Sequence, residues 1–106
     1  MGEVVPLQDP HNPKWVLRRI RELWEKGTVE VTPHAQERLR KWGLDIHDVR
    51  HVLRSGRVTE HSQAQRGGWR YRIDGTIVDG GRAACVVEIN GNLIVVTVFS
   101  LSVRRR

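Results

Sequence analysis

The run RAACVVEINGNLIVVTVFSL, residues 82–101, contains two apolar segments separated by an Asn-Gly pair. Residues 82–89 and 93–101 are rich in β-branched side chains, which favour strands. An Asn-Gly pair between two such segments is the strongest short-range signal for a β-hairpin. We therefore predict two antiparallel strands joined by a two-residue turn at Asn90 and Gly91.

A two-residue turn also predicts which side chains share a face of the hairpin. Glu88 is then opposite Leu93, and Val86 is opposite Val95. One face becomes wholly apolar, and we expect helices to cover it; its members are Ala83, Cys85, Val87, Ile94, Val96 and Val98. The other face is mixed, with Glu88 and Thr97 beside Val86 and Val95.

The stretch WRYRID, residues 69–74, predicts a further strand with two different faces. Its odd-numbered side chains are aromatic or aliphatic, and its even-numbered ones are charged. We expect the odd-numbered positions to join the core. Arg70 and Arg72 then lie on the mixed face of the sheet together with Glu88 and Thr97.

Three amphipathic helices and two more strands are predicted before this region. Each helix has start and stop signals: Asn12-Pro13 to Gly27, Thr32-Pro33 to Gly43, and Asp45 to Ser55-Gly56. Their apolar stripes predict the core residues Val16, Leu17, Ile20, Leu23, Trp24, Ala35, Leu39, Trp42, Ile46, Val49, Val52 and Leu53. The extra strands are residues 28–31 and 57–63. A chain of 106 residues forms one core. We predict an α+β fold with residues 1–11 as a flexible arm, 12–101 as a single domain and 102–106 as a basic tail.

The charge of the chain favours a polyanionic partner. It has 18 lysines and arginines against 12 acidic residues, a net charge of +6, and such a basic small domain is typical of nucleic-acid binders. The lone cysteine, Cys85, forms no internal disulfide, which indicates a reducing compartment. With no apolar run long enough for a membrane span and no signal peptide, we expect a cytoplasmic protein without a membrane partner.

The helix TPHAQERLRKWG, residues 32–43, carries polar groups that its packing does not require. His34, Arg38 and Lys41 cluster on one flank of the apolar stripe. A neutral imidazole is a suitable general base near pH 7, and cations stabilise a phosphorane. Transesterification within RNA uses these groups and needs no metal. The other interpretation is that His34 is a packing or capping residue.

Two further histidines, His47 and His51, are four residues apart in HDVRH. This spacing can bind a metal from one helix face, but no third ligand is evident in the sequence. A solvated helix face is the simpler interpretation, and we expect no metal and no cofactor. His61, next to Glu60 in a predicted strand, is a candidate for the mixed face.

The run His34-Ala35-x-x-Arg38-Leu39, followed by Gly43-Leu44, Tyr71-Arg72 and Val96-Thr97-Val98-Phe99, resembles an uncharacterised bacterial and archaeal domain of unknown function. That family looks related to the RelE, BrnT and MqsR toxins, within the RelE/ParE and barnase-like ribonuclease superfamily. The resemblance covers roughly residues 28–100. It leaves residues 12–27 as an extra N-terminal helix.

The resemblance implies a RelE-like fold, with N-terminal helices on one face of a mostly antiparallel sheet of four or five strands and RNA on the other. It implies an mRNA interferase-like type II toxin that cleaves RNA without a metal, leaves a 2′,3′-cyclic phosphate and binds a cognate antitoxin. The implied catalytic residues are His34 as general acid or base, Arg38 and Arg72 on phosphate, and Thr97 and Tyr71 as orienting groups. The expected nucleic-acid-binding residues are Arg72, which the resemblance also implies, together with Lys41 from the helix flank and Arg70 and Glu88 from the mixed face.

A second interpretation is that the protein has the same fold but does not catalyse RNA cleavage. Trp42 stands where the family often has arginine, and Phe99 stands where an aromatic hydroxyl is common. A non-catalytic module that binds nucleic acid or protein therefore remains the alternative.

Overall fold

A computed structural model of the chain describes residues 11–102. Residues 1–10 of the predicted arm and residues 103–106 of the predicted tail lie outside the described residues. The elements are α1 (Pro13–Glu25), β1 (Val29–Val31), α2 (Pro33–Trp42), α3 (Ile46–Ser55), β2 (Arg57–Gln63), β3 (Trp69–Thr76), β4 (Arg82–Asn90) and β5 (Asn92–Ser100). Their order and approximate bounds confirm the sequence prediction.

The helix starts predicted from the sequence are confirmed by their hydrogen bonds. The Asn12 side chain accepts from two backbone amides of the first turn of α1. Thr32 caps α2, which ends at Gly43 with φ of 68°. Asp45 and Asp48 form a capping box on α3. These bonds satisfy amides that have no partner within the helix.

The strands form one five-stranded sheet in the order β1-β5-β4-β3-β2. The ladders between β2 and β5 are antiparallel, and only the short edge strand β1 runs parallel to its neighbour β5. The fold is therefore α+β with a mostly antiparallel open sheet. Within residues 11–102, no helix combines the length and the apolar composition that a membrane crossing requires.

All three helices contribute to a single core on one face of the sheet. The core residues are Val16, Ile20, Leu23, Ala35, Leu39, Val49, Val52, Leu53, Tyr71, Ile73, Ile77, Ala83, Cys85, Val87, Leu93, Val95 and Val98. Alternate side chains of the strands point to the opposite side. We call that side the helix-free face; it carries Arg70, Arg72, Asp74, Val86, Glu88, Ile94, Thr97 and Phe99.

The predicted hairpin exists, but its predicted register is wrong by one residue. Ile89 pairs with Leu93 and Asn90 pairs with Asn92, so the turn is centred on Gly91 rather than on the Asn90-Gly91 pair. A two-residue type I′ turn needs positive φ at both positions. Only Gly91 has it, with φ of 80°. Ile94 therefore lies on the helix-free face, and Val95 lies in the core.

A β-bulge in β5 then returns the alternation of inward and outward side chains to the predicted pattern. Val87 pairs with Val95 and Val86 pairs with Thr97, which leaves Val96 as the extra residue. Because a bulge changes which side chains point inward, Thr97 reaches the predicted mixed face and Val98 reaches the core. The predicted placement of Val96 in the core is wrong, since Val96 is half-buried and outside the core cluster.

Among the predicted core residues of the helices, Leu17 and Trp24 are partly buried and pack against the core, whereas two others neither belong to it nor pack against it. Trp42 is half-buried and does not pack against the core cluster. Ile46 is 38% exposed. Both flank the α2–α3 connection, as the last residue of α2 and the first of α3, where a helix has neighbours on fewer sides.

Candidate nucleic-acid interface

The N-terminus of α2 is attached to the bulge of β5. The Thr32 backbone amide donates to the carbonyl oxygen of Val95 (3.1 Å), and its hydroxyl donates to the carbonyl oxygen of Val96 (3.1 Å). The same hydroxyl accepts the amide of Ala35 (3.0 Å). The first turn of α2, which carries His34, is therefore held next to the strand position of Thr97.

His34, Arg38 and Lys41 have no structural partner in the part of the chain that the structure describes. His34 and Lys41 are exposed and Arg38 is half-buried. None of the hydrogen bonds or ion pairs among residues 11–102 involves their side chains. Polar groups that packing and pairing do not use are free to contact a ligand.

Arg72 and Thr97 lie in one row across the sheet. Thr97 pairs with Val86, which pairs with Arg72, and Arg72 pairs with Glu60 of β2. Adjacent strands are about 4.8 Å apart, so the Cα atoms of Arg72 and Thr97 are separated by about 10 Å. This row connects the arginine to the strand that anchors α2.

Two β-bulges flank this row. One is Val96 in β5, and the other is at Thr59 in β2, where the register shifts between Val58 and Glu60. Bulges occur often beside active sites, because they redirect single side chains. The row is therefore the part of the sheet that departs most from regular geometry.

Arg72 is already bound by protein groups. Its Nε and Nη2 donate to the two carboxylate oxygens of Asp74 (2.8 and 3.1 Å), and Nη1 lies 3.8 Å from Glu60. Its guanidinium also lies over the Phe99 ring, 5.2 Å from the centroid. The hydrogen bond to Asp74 and the charges of Asp74 and Glu60 raise the pKa of Arg72 above its ordinary value, against the lowering effect of desolvation.

Arg70, which lies two residues before Arg72 on β3, is also paired with a carboxylate. Its guanidinium forms two hydrogen bonds with Glu88 Oε2, and the bond from Nε is 2.8 Å. Glu88 keeps only 14% of its side-chain surface exposed. The predicted juxtaposition of Arg70, Arg72, Glu88 and Thr97 on one face is confirmed. Carboxylates, however, match the arginines there, so this face has little net positive charge.

Tyr71 lies on the other side of the sheet. It is 1% exposed and belongs to the core cluster. A buried phenol beneath the helices has no access to an RNA strand on the helix-free face. Its placement is therefore at odds with the orienting role that the resemblance implied, because the alternation of β3 turns Tyr71 inward.

His61 also lies on the helix side rather than on the mixed face. The bulge at Thr59 moves His61 opposite Tyr71. Its Nε2 lies 2.9 Å from His11 Nδ1, and both rings pack near Trp69. Without the bulge, His61 would pair with Arg70. The expectation for His61 is therefore wrong, because sequence alternation cannot locate a bulge.

Asp74 and Glu60 are site residues that we did not predict, whereas Phe99 was noted as a departure from the family pattern. A signal for Asp74 was present, since residues two apart on a strand share a face and Arg72 and Asp74 have opposite charges. Glu60 gave no such signal, because its approach to Arg72 depends on the bulge at Thr59.

No group of three or more histidine, cysteine, aspartate or glutamate side chains within residues 11–102 is arranged to hold a metal ion. His47 and His51 are both exposed. The His51 Nδ1 lies 2.7 Å from the carbonyl oxygen of Thr76. Because a carbonyl oxygen only accepts, this nitrogen carries the proton.

The chain belongs to the family described as a domain of unknown function (DUF4258), whose model matches residues 31–100. The match begins in β1 and ends in β5. It contains every residue of the candidate interface and leaves α1 outside. Neither the curated proteins nor the solved structures contain a significant match to the chain.

Proposed function

We propose that this protein is an RNA-binding, toxin-like endoribonuclease that works without a metal. The observation that carries the proposal is the anchoring of the α2 N-terminus at the β5 bulge. This contact ties the start of the helix that carries His34 and Arg38, both without protein partners among the described residues, to the strand that carries Thr97, and Thr97 shares a row with Arg72. An imidazole, cations and a hydroxyl are the groups that a 2′-hydroxyl attack on phosphorus requires.

In this mechanism, His34 takes the proton of the 2′-hydroxyl or donates one to the leaving 5′ oxygen, and solvent water makes the other proton transfer. Arg38 and Lys41 contribute positive charge from α2 to the phosphate. Arg72 stabilises the phosphorane by exchanging part of its contact with Asp74 and Glu60 for phosphate oxygens. Thr97 orients the scissile group. The products are a 2′,3′-cyclic phosphate and a 5′-hydroxyl.

We also propose the RelE-like relationship and a cognate antitoxin as partner. The support is the α+β architecture with helices on one face of a mostly antiparallel sheet, together with the His34-to-Arg38 and Val96-to-Phe99 motifs. An antitoxin segment that covers these exposed cations would be acidic at the contact, since complementary charges set the specificity of such interfaces.

A specific observation favours the alternative of a non-catalytic binding module. Arg70 and Arg72 are both paired with carboxylates on the helix-free face. An arginine held in this way is less available to a developing negative charge. In the alternative, the protein holds RNA or a protein partner without turnover.

The deciding experiment is cleavage of a labelled single-stranded RNA by the purified full chain in the presence of a chelator. The wild type should produce a 2′,3′-cyclic phosphate, and His34→Ala should reduce the rate by at least about a hundredfold, the usual contribution of a general acid or base. Glu37→Ala is the matched control, because Glu37 is exposed on the same helix. Absence of cleavage, with salt-sensitive RNA binding that His34→Ala does not change, would establish the binding module instead.

A further inference from the structure

A groove between α1 and α3 is lined by several arginines and lies on the side of the molecule opposite to the helix-free face. Its inner part, of about 70 Å³, is lined by Ile20, Arg21, Trp24, Glu25, Arg50, Leu53 and Arg54. Its outer part, of about 450 Å³, is lined by His47, Arg50, His51, Arg54, Ser55 and Val78. Arg50 and Arg54 line both parts; the outer part runs along α3 toward Val78, and its lining includes no residue of α1.

The charge of this groove is predominantly positive. Among the described residues, Glu25 is its only lining carboxylate. Glu25 pairs with Arg50 at 3.3 Å, and both side chains are substantially exposed. Such a pair contributes little stability, so an incoming anion can replace it at low cost. Arg21 donates only to the backbone carbonyl of Arg54 (3.2 Å), which leaves both side chains without a carboxylate partner within residues 11–102.

Two arginines and two histidines of α3 form a regular stripe. His47, Arg50, His51 and Arg54 have the spacing i, i+3, i+4 and i+7, which places them on one side of the helix. The stripe is about 10 Å long at 1.5 Å per residue. This length corresponds to about three nucleotides of a stacked strand at 3.4 Å each. The bond of His51 Nδ1 to the carbonyl oxygen of Thr76 fixes the orientation of the ring.

We propose that this groove binds the phosphodiester backbone of single-stranded RNA. The stripe contacts consecutive phosphates, and Trp24, which lines the inner part, stacks on a base. The inner part is too small to accept the several anchor side chains of an amphipathic peptide, whereas the outer part is lined mainly by polar groups, among them Arg50 and Arg54. These two facts favour a polyanion over an acidic protein segment.

The groove is not a property of the family domain. Its α1 wall lies outside the matched residues 31–100. The added helix therefore supplies Arg21 and Trp24, and with them one side of the RNA site. The inference rests on the proposed function only in taking RNA as the ligand, and it requires no cleavage.

The test measures the affinity of a labelled twelve-nucleotide single-stranded RNA for the full chain by fluorescence anisotropy at several salt concentrations. Arg21→Ala/Arg54→Ala should weaken binding at least about tenfold and make the slope of log K against log salt shallower by about 1.4, the loss of two phosphate contacts. Arg66→Ala/Arg82→Ala is the matched control. It removes the same charge from exposed arginines elsewhere, and it should change affinity by less than about threefold.

Equal losses in the two double variants would overturn the proposal, because they would reflect net charge alone. Unchanged binding by Arg21→Ala/Arg54→Ala would also overturn it. Arg54→Glu provides a second variant that keeps Arg21, and circular dichroism verifies folding. Cleavage is assayed separately. If the protein binds RNA through the groove but does not cleave it, the proposed endoribonuclease is refuted and this inference stands. If the protein cleaves RNA and the groove variants bind as well as the wild type, the endoribonuclease stands and this inference is refuted.

Discussion

The hydroxyl of Thr32 donates to the carbonyl oxygen of Val96, the residue that bulges out of β5, at 3.1 Å. Thr32 is also the N-cap of α2. One side chain thus joins the start of a helix to the irregular point of a strand 64 residues later in the chain. This bond positions His34 relative to Thr97.

Replacing Thr32 with alanine removes the helix cap and the bond to the bulge together. We expect Thr32→Ala to lower the free energy of unfolding by about 2 kcal/mol, as measured by urea denaturation. Thr32→Ser keeps the hydroxyl and should therefore retain most of the free energy of unfolding that the alanine variant loses. Equal stability of the alanine and serine variants would mean that the hydroxyl does not hold α2 in place.

Removing the charge of Asp74 should release Arg72 for phosphate. We expect Asp74→Asn to bind RNA more tightly than the wild type, with a slope of log K against log salt steeper by about 0.7, equivalent to one additional phosphate contact. Asp79→Asn makes the same charge change in the exposed β3–β4 loop. If both variants gain the same RNA affinity, net charge explains the effect and Arg72 does not contact RNA.

Burial raises the pKa of the Cys85 thiol to about 12, against an ordinary value of 9.0. The folded protein therefore keeps the thiol proton over a range in which the unfolded chain loses it. Above pH 9 the unfolded state binds fewer protons, so stability that is present below pH 9 falls as the pH rises toward 12. The slope is about 1.4 kcal/mol per pH unit.

Urea denaturation at pH 8.5 and pH 10.5 measures the contribution of the Cys85 thiol to the pH dependence of stability. Wild type should lose more stability between the two pH values than Cys85→Ala, which has no thiol to titrate. The folded wild type should also resist iodoacetamide until urea unfolds it. A Cys85→Ala variant with the same pH dependence as the wild type would show that the thiol is not shielded.

Gly75 and Gly56 bring β3 close to the end of α3. A Cβ at Gly75 would lie 2.6 Å from the carbonyl oxygen of Val52 and 2.9 Å from the Cα of Gly56. Both contacts are with backbone atoms, which cannot move aside, so Gly75→Ala should cost about 3 kcal/mol or more. Gly91→Ala meets no atom within 4 Å and only strains a φ of 80°, at a cost of about 1–2 kcal/mol. Chemical denaturation of both variants measures the difference, and a smaller loss for Gly75→Ala would contradict the close contact.

The parts of the fold that were predictable depend on neighbours in sequence. Helix α2 begins after Thr32-Pro33 and ends at Gly43 as predicted, because caps act within one turn. The joint placement of Arg70 and Arg72 on one face also follows from local alternation. The partners of Arg72 are different. Glu60 reaches it only because of the bulge at Thr59.

The sequence by itself determined the α+β class, the bounds of the elements, the positive charge and the identity of His34 and Arg38 as polar groups that the core does not use. Tertiary structure decided the hairpin register, the two bulges, the pairing of Arg72 with Asp74 and the groove between α1 and α3. The physical reason is the range of the interactions. Capping and periodicity act over a few residues, whereas a one-residue shift in strand pairing is selected by the packing of the whole sheet against the helices.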